Sequence, residues 1–465
     1  MRRTLVRILI GLALAWSGIL VRLQALPPTI AITRIQSDGT SVDVRWQTSS
    51  VDLRSTLESS DLPSGSIWSP VPGGDWPTST NAFRDSRPLP PSRFYRVRGE
   101  PGPVARGRLL SFTEVASMTR AQIQFFFTLA GFPVTPDRDV RFIKVIYETV
   151  DAHGLRTIAS GALALPVGMD TPLPLLSYQH GTILERENVP SRLNLEGFLG
   201  VAFATSGYAA VLPDYLGLGD SPGLHPFLHA ASEATAVIDL LRAARAFCAA
   251  DGIRLAPELF LTGYSQGGHA TLATLREMEF RHADEFTVTA CAAGAGAYDL
   301  SGTTANELLS GRPQSNPYFF AYQLAAFRHV YGLPWYLAEP YATTIPPLMD
   351  GTHDEVEVNA AMPADPTLAL APGVREALIK DSDHPLRVAL RQNDLLDWTP
   401  RTRLRLYHCS GDRDVVPANS AVAWEGFLSR GAPVELLDPA PAAGHGSCAE
   451  PTLLQVKAWF DVLRN

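Results

Sequence analysis

Lysine is nearly missing from this chain: three of its 39 basic residues are lysine, and arginine supplies the rest. Acidic residues outnumber basic ones, 47 to 39, for a net charge of −8. No basic run interrupts that balance, so the electrostatic footprint of nucleic-acid binding is absent. Cysteine is scarce as well, limited to Cys248, Cys291, Cys409 and Cys448. No C-x-x-C pair and no His/Cys cluster has zinc spacing, so neither a metal nor a cofactor is expected. Long apolar runs are lacking except at residues 8–21, and 14 residues fall short of the ~20 that a spanning helix needs. That run follows three arginines and precedes a short polar piece ending at Ala25. The layout is that of a secretory signal peptide over residues 1–25, with a membrane anchor as the rival reading. An exported chain can form disulfides, and four cysteines allow three full pairings.

What is present divides the chain. A length of 465 residues exceeds one comfortable core, so two or more domains are expected. Residues 27–99 hold short β-prone runs between Gly, Pro and polar turns. Several alternate apolar with polar, as at Val42, Val44 and Trp46. The pattern is that of a small antiparallel β-sandwich. "TLESSDL", "IWSPVP" and "RFYRVR" resemble the small fibronectin-like modules attached to secreted bacterial proteins. Contact with a surface or polymer is one role for such a module; a spacer is the favoured one. "GEPGPVARG" (99–107) reads as a linker.

From about residue 104 onward, strand and helix patterns alternate. Strands are expected at 140–150, 159–167, 173–180, 208–215, 259–264, 286–294, 403–409 and 434–438, and helices at 229–250, 267–279 and 451–463. "SMTRAQIQFFFTLAGF" also reads as helical. Such alternation predicts an α/β fold, with a mostly parallel sheet covered by helices on both faces and an antiparallel start at 140–167. Residues 299–402 are too long for a structureless loop and read as an inserted cap. Its aromatics, in "YFFAYQ" and "YGLPWYL", either build the cap's own core or roof a pocket.

The chemistry centres on "LTGYSQGGHA" (261–270). Here G-x-S-x-G ends a strand pattern and opens a helix pattern, the context of a nucleophile elbow. Ser265 would be the nucleophile. "RLRLYHCSGDRDVVP" ends a later strand and offers Asp412 and Asp414. Asp414, three residues past Gly411, is the favoured acid, and Asp412 reads as a turn residue. His445 lies between two glycines after the last strand, which completes the chain order Ser, Asp, His. His269 is closer in sequence to Ser265 but reads as packing on its helix. The oxyanion hole needs two N–H groups: Gln266 supplies one, and Thr182, in the "HGT" loop after the strand at 173–180, the other. Cys409 ends the strand before the acid turn, and Cys448 lies three residues after His445. A Cys409–Cys448 bridge would tie these loops; the alternative leaves both free and buried. Cys248 and Cys291 read as core thiols.

"ASGALALPVG", "LPLLSYQHGT", "GYAAVLPDYLGLGDSPGLHPFLHA", "GYSQGGHATLA", "NDLLDWTP" and "HCSGDRDVVP" together resemble the secretory lipase family of α/β-hydrolases, over residues ~104–465. The resemblance implies a cap after the sixth strand, Ser265, Asp414 and His445 as the triad, Gln266 and Thr182 as the hole, and a small-molecule or lipid ester as substrate. An exported carboxylic ester hydrolase is the leading expectation. A serine peptidase or aminopeptidase, or an acyltransferase, could use the same triad. A non-enzymatic adhesin would have no use for all three residues.

Overall fold

The computed structural model describes residues 30–48, 53–60, 68–78, 80–88, 92–101 and 105–464. The expected signal peptide lies outside them. The chain forms two compact units that meet in sequence at Ala105 and Arg106.

The N-terminal unit holds six strands: β1 (Ile30–Ser37), β2 (Val42–Thr48), β3 (Leu53–Ser60), β4 (Ser69–Pro70), β5 (Ala82–Asp85) and β6 (Phe94–Pro101). They form two antiparallel three-stranded sheets, ordered β1-β2-β5 and β4-β3-β6. Alternation along β2 sends Val42, Val44 and Trp46 into a core shared with Leu57 and Val71.

The larger unit is built on a nine-stranded sheet. Its strands are β7 (Leu109–Met118), β8 (Val140–Val150), β9 (Arg156–Pro166), β10 (Leu173–Gln179), β11 (Ala209–Pro213), β12 (Leu255–Tyr264), β13 (Ala290–Gly294), β14 (Leu404–Tyr407) and β15 (Val434–Leu437). The order is β15-β14-β13-β12-β10-β11-β9-β8-β7. Pairing is antiparallel from β7 to β11 and parallel from β11 through β15. Every residue of β10 and β11 is buried, as expected of central parallel strands covered on both faces.

The covering helices are α1 (Arg120–Ala130), α2 (Leu195–Thr205), α3 (Ala230–Ala250) and α4 (Gln266–Arg281). After the cap helices α5 (Tyr318–Tyr331) and α6 (Pro385–Gln392) come α7 (Ala418–Ser429) and α8 (His445–Leu463). One face of the sheet buries α3, α4 and α7 through residues such as Val237, Leu241, Leu272 and Phe427. The other buries α1, α2 and α8 through Phe127, Phe203 and Phe460. This is the α/β-hydrolase architecture. Among the described residues no helix is long and apolar enough to cross a membrane.

Two local readings shift. Ser117 and Met118 end strand β7 and do not open a helix. Helix α1 starts one residue after Thr119, whose hydroxyl caps it in a box with Gln122. Helix α8 begins at His445 and runs through Pro451, so it starts a turn and a half earlier than the residues after the proline suggest. Between β13 and β14 the chain leaves the sheet and builds its own apolar core, with Phe320, Leu324, Phe327, Ile345 and Leu390 fully or nearly buried.

Candidate active site

β12 lies between β10 and β13 in the sheet and delivers Ser265 from its C-terminal end. Ser265 has φ 61° and ψ −122°, a conformation in which an L side chain is strained. The strain is held by packing. A Cβ on Gly267 would overlap the Gln179 carbonyl of β10, and one on Gly263 would lie 2.6 Å from the same oxygen. Ser265 N–H donates to Gly294 O at 2.9 Å, and Ser265 O accepts from Gly268 and His269 to start α4. The hydroxyl therefore stands at a helix N-terminus, where N–H groups of the first turn lack helical partners.

Ser265 Oγ lies 2.7 Å from His445 Nε2, and His445 Nδ1 lies 2.6 Å from Asp412 Oδ2. Asp412 is fully buried. Its other oxygen accepts the N–H groups of Asp414 and Val415 at 2.9 and 3.1 Å. A second imidazole lies beside it: His408 Nε2 donates to Val415 O at 2.8 Å and stands 3.3 Å from Oδ2. Burial works to raise the pKa of Asp412, but the imidazoles of His408 and His445 beside it outweigh burial and hold the carboxyl well below the ordinary range. An ionised Asp412 only accepts, so Nδ1 of His445 carries the hydrogen and Nε2 turns its lone pair toward Ser265. Tyr264 OH donates to His445 O at 2.6 Å and pins the start of α8.

The expected acid, Asp414, is therefore corrected. Its carboxylate accepts from Asn316 Nδ2 of the cap at 3.0 Å, and Asp412 takes the place beside His445. The cause is the tightness of the turn. Asp412 N–H closes back on Cys409 O at 3.1 Å, and a Cβ on Gly411 would come within 2.7 Å of Ala443 O. The backbone at Gly411 thus touches the loop that carries His445. The next residue faces that histidine, and two residues later the chain has turned toward the cap.

Thr182 and Gln266 both line the cavity that contains Ser265. The loop carrying Thr182 is fixed by buried His180, whose ring nitrogens face Gly181 O at 2.7 Å and Asp214 O at 3.2 Å. Burial lowers the pKa of His180. The cavity measures about 70 Å³. Phe227, Leu228, Phe319 and Val415 form apolar walls, while Asn316, Gln323 and Asp414 add polar groups. Of the two aromatic cap stretches, only "YFFAYQ" reaches it, through Phe319 and Gln323. Tyr331, Trp335 and Tyr336 pack against the cap core.

The model of the family described as "Secretory lipase" matches residues 189–329, a span that includes Ser265 and ends before Asp412 and His445. The rice cell wall degrading esterase LipA of Xanthomonas oryzae, in a ligand-bound form, is 31% identical with a TM-score of 0.68, covering 77% of this chain and 98% of its own. The chain belongs to the secretory lipase family. A candidate hydrolase of Legionella pneumophila is 28% identical with a TM-score of 0.72, again over 77% of this chain and 98% of its own. Candida antarctica lipase A shares the fold at 17% identity and a TM-score of 0.58, over 78% of this chain and 83% of its own. No curated protein matches this secretory lipase in sequence.

In this secretory lipase a Cys409–Cys448 disulfide joins the acid turn to the first turns of α8, closing a separation of 39 residues. Cys248 and Cys291 are free and buried. Sequence reasoning missed His408 and Glu233. His408 precedes the cysteine of the acid turn and carries no motif of its own. Glu233 sits inside an apolar helix pattern, and a carboxylate in such a stretch was the available signal. His269, expected to pack, is fully buried with its Nδ1 2.6 Å from Glu233 Oε2.

Three measurements follow from this geometry. Gly267→Ala should cost about 3 kcal/mol of stability, whereas Gly446→Ala, whose Cβ would meet nothing within 4 Å, should be neutral. Equal melting temperatures for the two variants would contradict the packing at the elbow. Thiol titration of unreduced, denatured protein should find the two free cysteines, Cys248 and Cys291. Cys448→Ser should lower stability by about 2–4 kcal/mol; four titratable thiols in the wild type would contradict the bridge. For pH, the folded state binds the Asp412 proton more weakly than the unfolded chain does. Ionised Asp412 thus adds stability that is complete well above its unfolded pKa of ~3.9 and is lost as pH falls below it. The melting-temperature gap between wild type and Asp412→Asn should shrink from pH 7 to pH 3; a constant gap would contradict it.

Proposed function

We propose that this secretory lipase is an exported serine carboxylic ester hydrolase working through an acyl-enzyme. The observation that carries the reading is the continuous path from Asp412 through His445 to Ser265, at 2.6 and 2.7 Å. In it, Ser265 Oγ attacks the ester carbonyl carbon while its proton passes to His445 Nε2. The carbonyl oxygen becomes an oxyanion that accepts from the N–H groups of Gln266 and Thr182. Collapse breaks the bond to the alcohol, which leaves with the proton from His445. Water then attacks the acyl-serine, again giving a proton to His445. Release of the acid restores Ser265 Oγ–H. Asp412 keeps His445 in the tautomer that can accept and stabilises the imidazolium in between.

Export is supported by the family's secretory character, the leader-like residues 1–25, and a disulfide of the kind that persists in oxidising compartments. The N-terminal sandwich acts as a spacer in this reading. The small cavity with apolar walls suits a short or medium acyl chain, each buried methylene adding ~0.8 kcal/mol. The polar residues on its cap side mark it as less uniformly greasy than the aromatic cap sequence suggests.

Ser265→Ala should reduce kcat on p-nitrophenyl butyrate by at least ~10⁴-fold with the fold intact. Asp412→Asn should cost ~10⁴-fold, while Asp414→Asn should alter KM more than kcat. The reverse order for the two aspartates would refute the acid assignment. Across the acetate-to-palmitate series, kcat/KM should peak at butyrate or hexanoate; faster cleavage of an aminoacyl anilide than of any ester would refute the ester reading.

A further inference from the structure

Gln266 follows the nucleophile, yet its side chain is almost fully buried. Its amide nitrogen lies 2.9 Å from Glu233 Oε1 and 2.7 Å from His225 Nε2. An amide NH2 has two hydrogens to donate, and both find acceptors here. The carboxylate takes one. His225 takes the other on Nε2, because its Nδ1 donates to Leu216 O at 2.8 Å. Burial keeps that ring neutral, its pKa lowered to about 4. Turning the amide over would set its oxygen against the Glu233 carboxylate, so the orientation is fixed. Gln266 Oε1 is buried without a partner, so the side chain is held through its nitrogen alone.

Glu233, on α3, is itself buried, at 1% exposure. Its second oxygen lies 2.6 Å from His269 Nδ1, and His269 Nε2 faces the Asn393 carbonyl at 3.1 Å. A carbonyl only accepts, so Nε2 carries a hydrogen and one further proton lies between Nδ1 and Oε2. Asn393 closes the ring of contacts by accepting Ala230 N–H, at the start of α3, at 2.9 Å. A carboxylate is a costly group to bury in an apolar helix interface. Leucine or methionine would fill this place without a charge. What the carboxylate adds is a directed acceptor for the residue whose backbone follows Ser265.

We infer that Glu233 is a positioning residue for the oxyanion hole: by holding the Gln266 side chain, it fixes the direction of the Gln266 main-chain N–H. This rests on the proposed role of that N–H. Its effect should fall on the transition state and not on ground-state binding, because the oxyanion forms only during reaction.

The test is a double-mutant cycle on p-nitrophenyl butyrate with Glu233→Leu and Gln266→Met. Glu233→Leu removes the oxygen that accepts from the Gln266 amide, at similar volume. Gln266→Met keeps the main-chain N–H and removes its anchor. Each single variant should lower kcat about 10-fold or more with KM within about twofold. The double variant should be no slower than Gln266→Met alone, because the second change removes a contact already lost. Each should also weaken inhibition by a boronic acid analogue of the tetrahedral intermediate in proportion to the fall in kcat. Wild-type kcat in either single variant, losses that multiply in the double variant, or a rise in KM alone would overturn the inference. If Glu233→Leu does not fold, Gln266→Met decides through kcat and boronate affinity. A wild-type enzyme without ester turnover would instead refute the hydrolase reading itself.

Discussion

The contact on which the rest of this structure depends is the one between Gly267 and the Gln179 carbonyl. At that point the first turn of α4 presses directly on the end of β10, with no side chain between them. Only this approach lets the chain reverse from strand to helix at Ser265 with φ 61°. Any bulk there would push α4 away from the sheet and relax the strain that makes the hydroxyl protrude. Because β10 also carries the His180–Gly181–Thr182 loop, the same contact sets the distance between the two sides of the cavity. The elbow thus fixes Ser265 and the floor of the cavity together.

Asp412 and His445 come from elsewhere in the chain and need their own support. The acid turn and the start of α8 are joined three ways: by the Asp412–His445 hydrogen bond, by the backbone contact at Gly411 and by the Cys409–Cys448 disulfide. Tyr264, the residue before Ser265, ties the end of β12 to the same helix start through His445 O. Asp412 is buried but surrounded by donors, with His445 and two main-chain N–H groups directed at it and the His408 ring alongside. That set of donors outweighs desolvation and keeps the carboxylate charged where an isolated one would take up a proton.

Much of this was legible in the sequence. The central strands announced themselves because buried parallel strands are apolar runs of defined length, and Ser265 and His445 because strand–turn–helix context and chain order leave few rivals. Asp412 was not legible. The choice between Asp412 and Asp414 depends on how tightly the Gly411 turn packs on a loop some thirty residues later, a tertiary fact without a local signature. Strand β7 was hidden for a different reason: as an edge strand it leaves Leu110 and Phe112 exposed, so its alternation is blurred. Glu233 was concealed by its surroundings, since a single acid among alanines and leucines reads as one polar point on an amphipathic helix. Its neighbours across the helix interface, Gln266 and His269, give it meaning only once α3 and α4 are packed.

The central claim is that Ser265 is made nucleophilic by His445 held by Asp412. The most direct measurement is covalent trapping: reaction of the enzyme with a p-nitrophenyl alkylphosphonate, followed by intact mass and peptide mapping. The account predicts one phosphonyl group per chain, located on Ser265, formed rapidly in the wild type and far more slowly once Asp412 is replaced by Asn. Label on another residue, or a rate indifferent to Asp412, would contradict it.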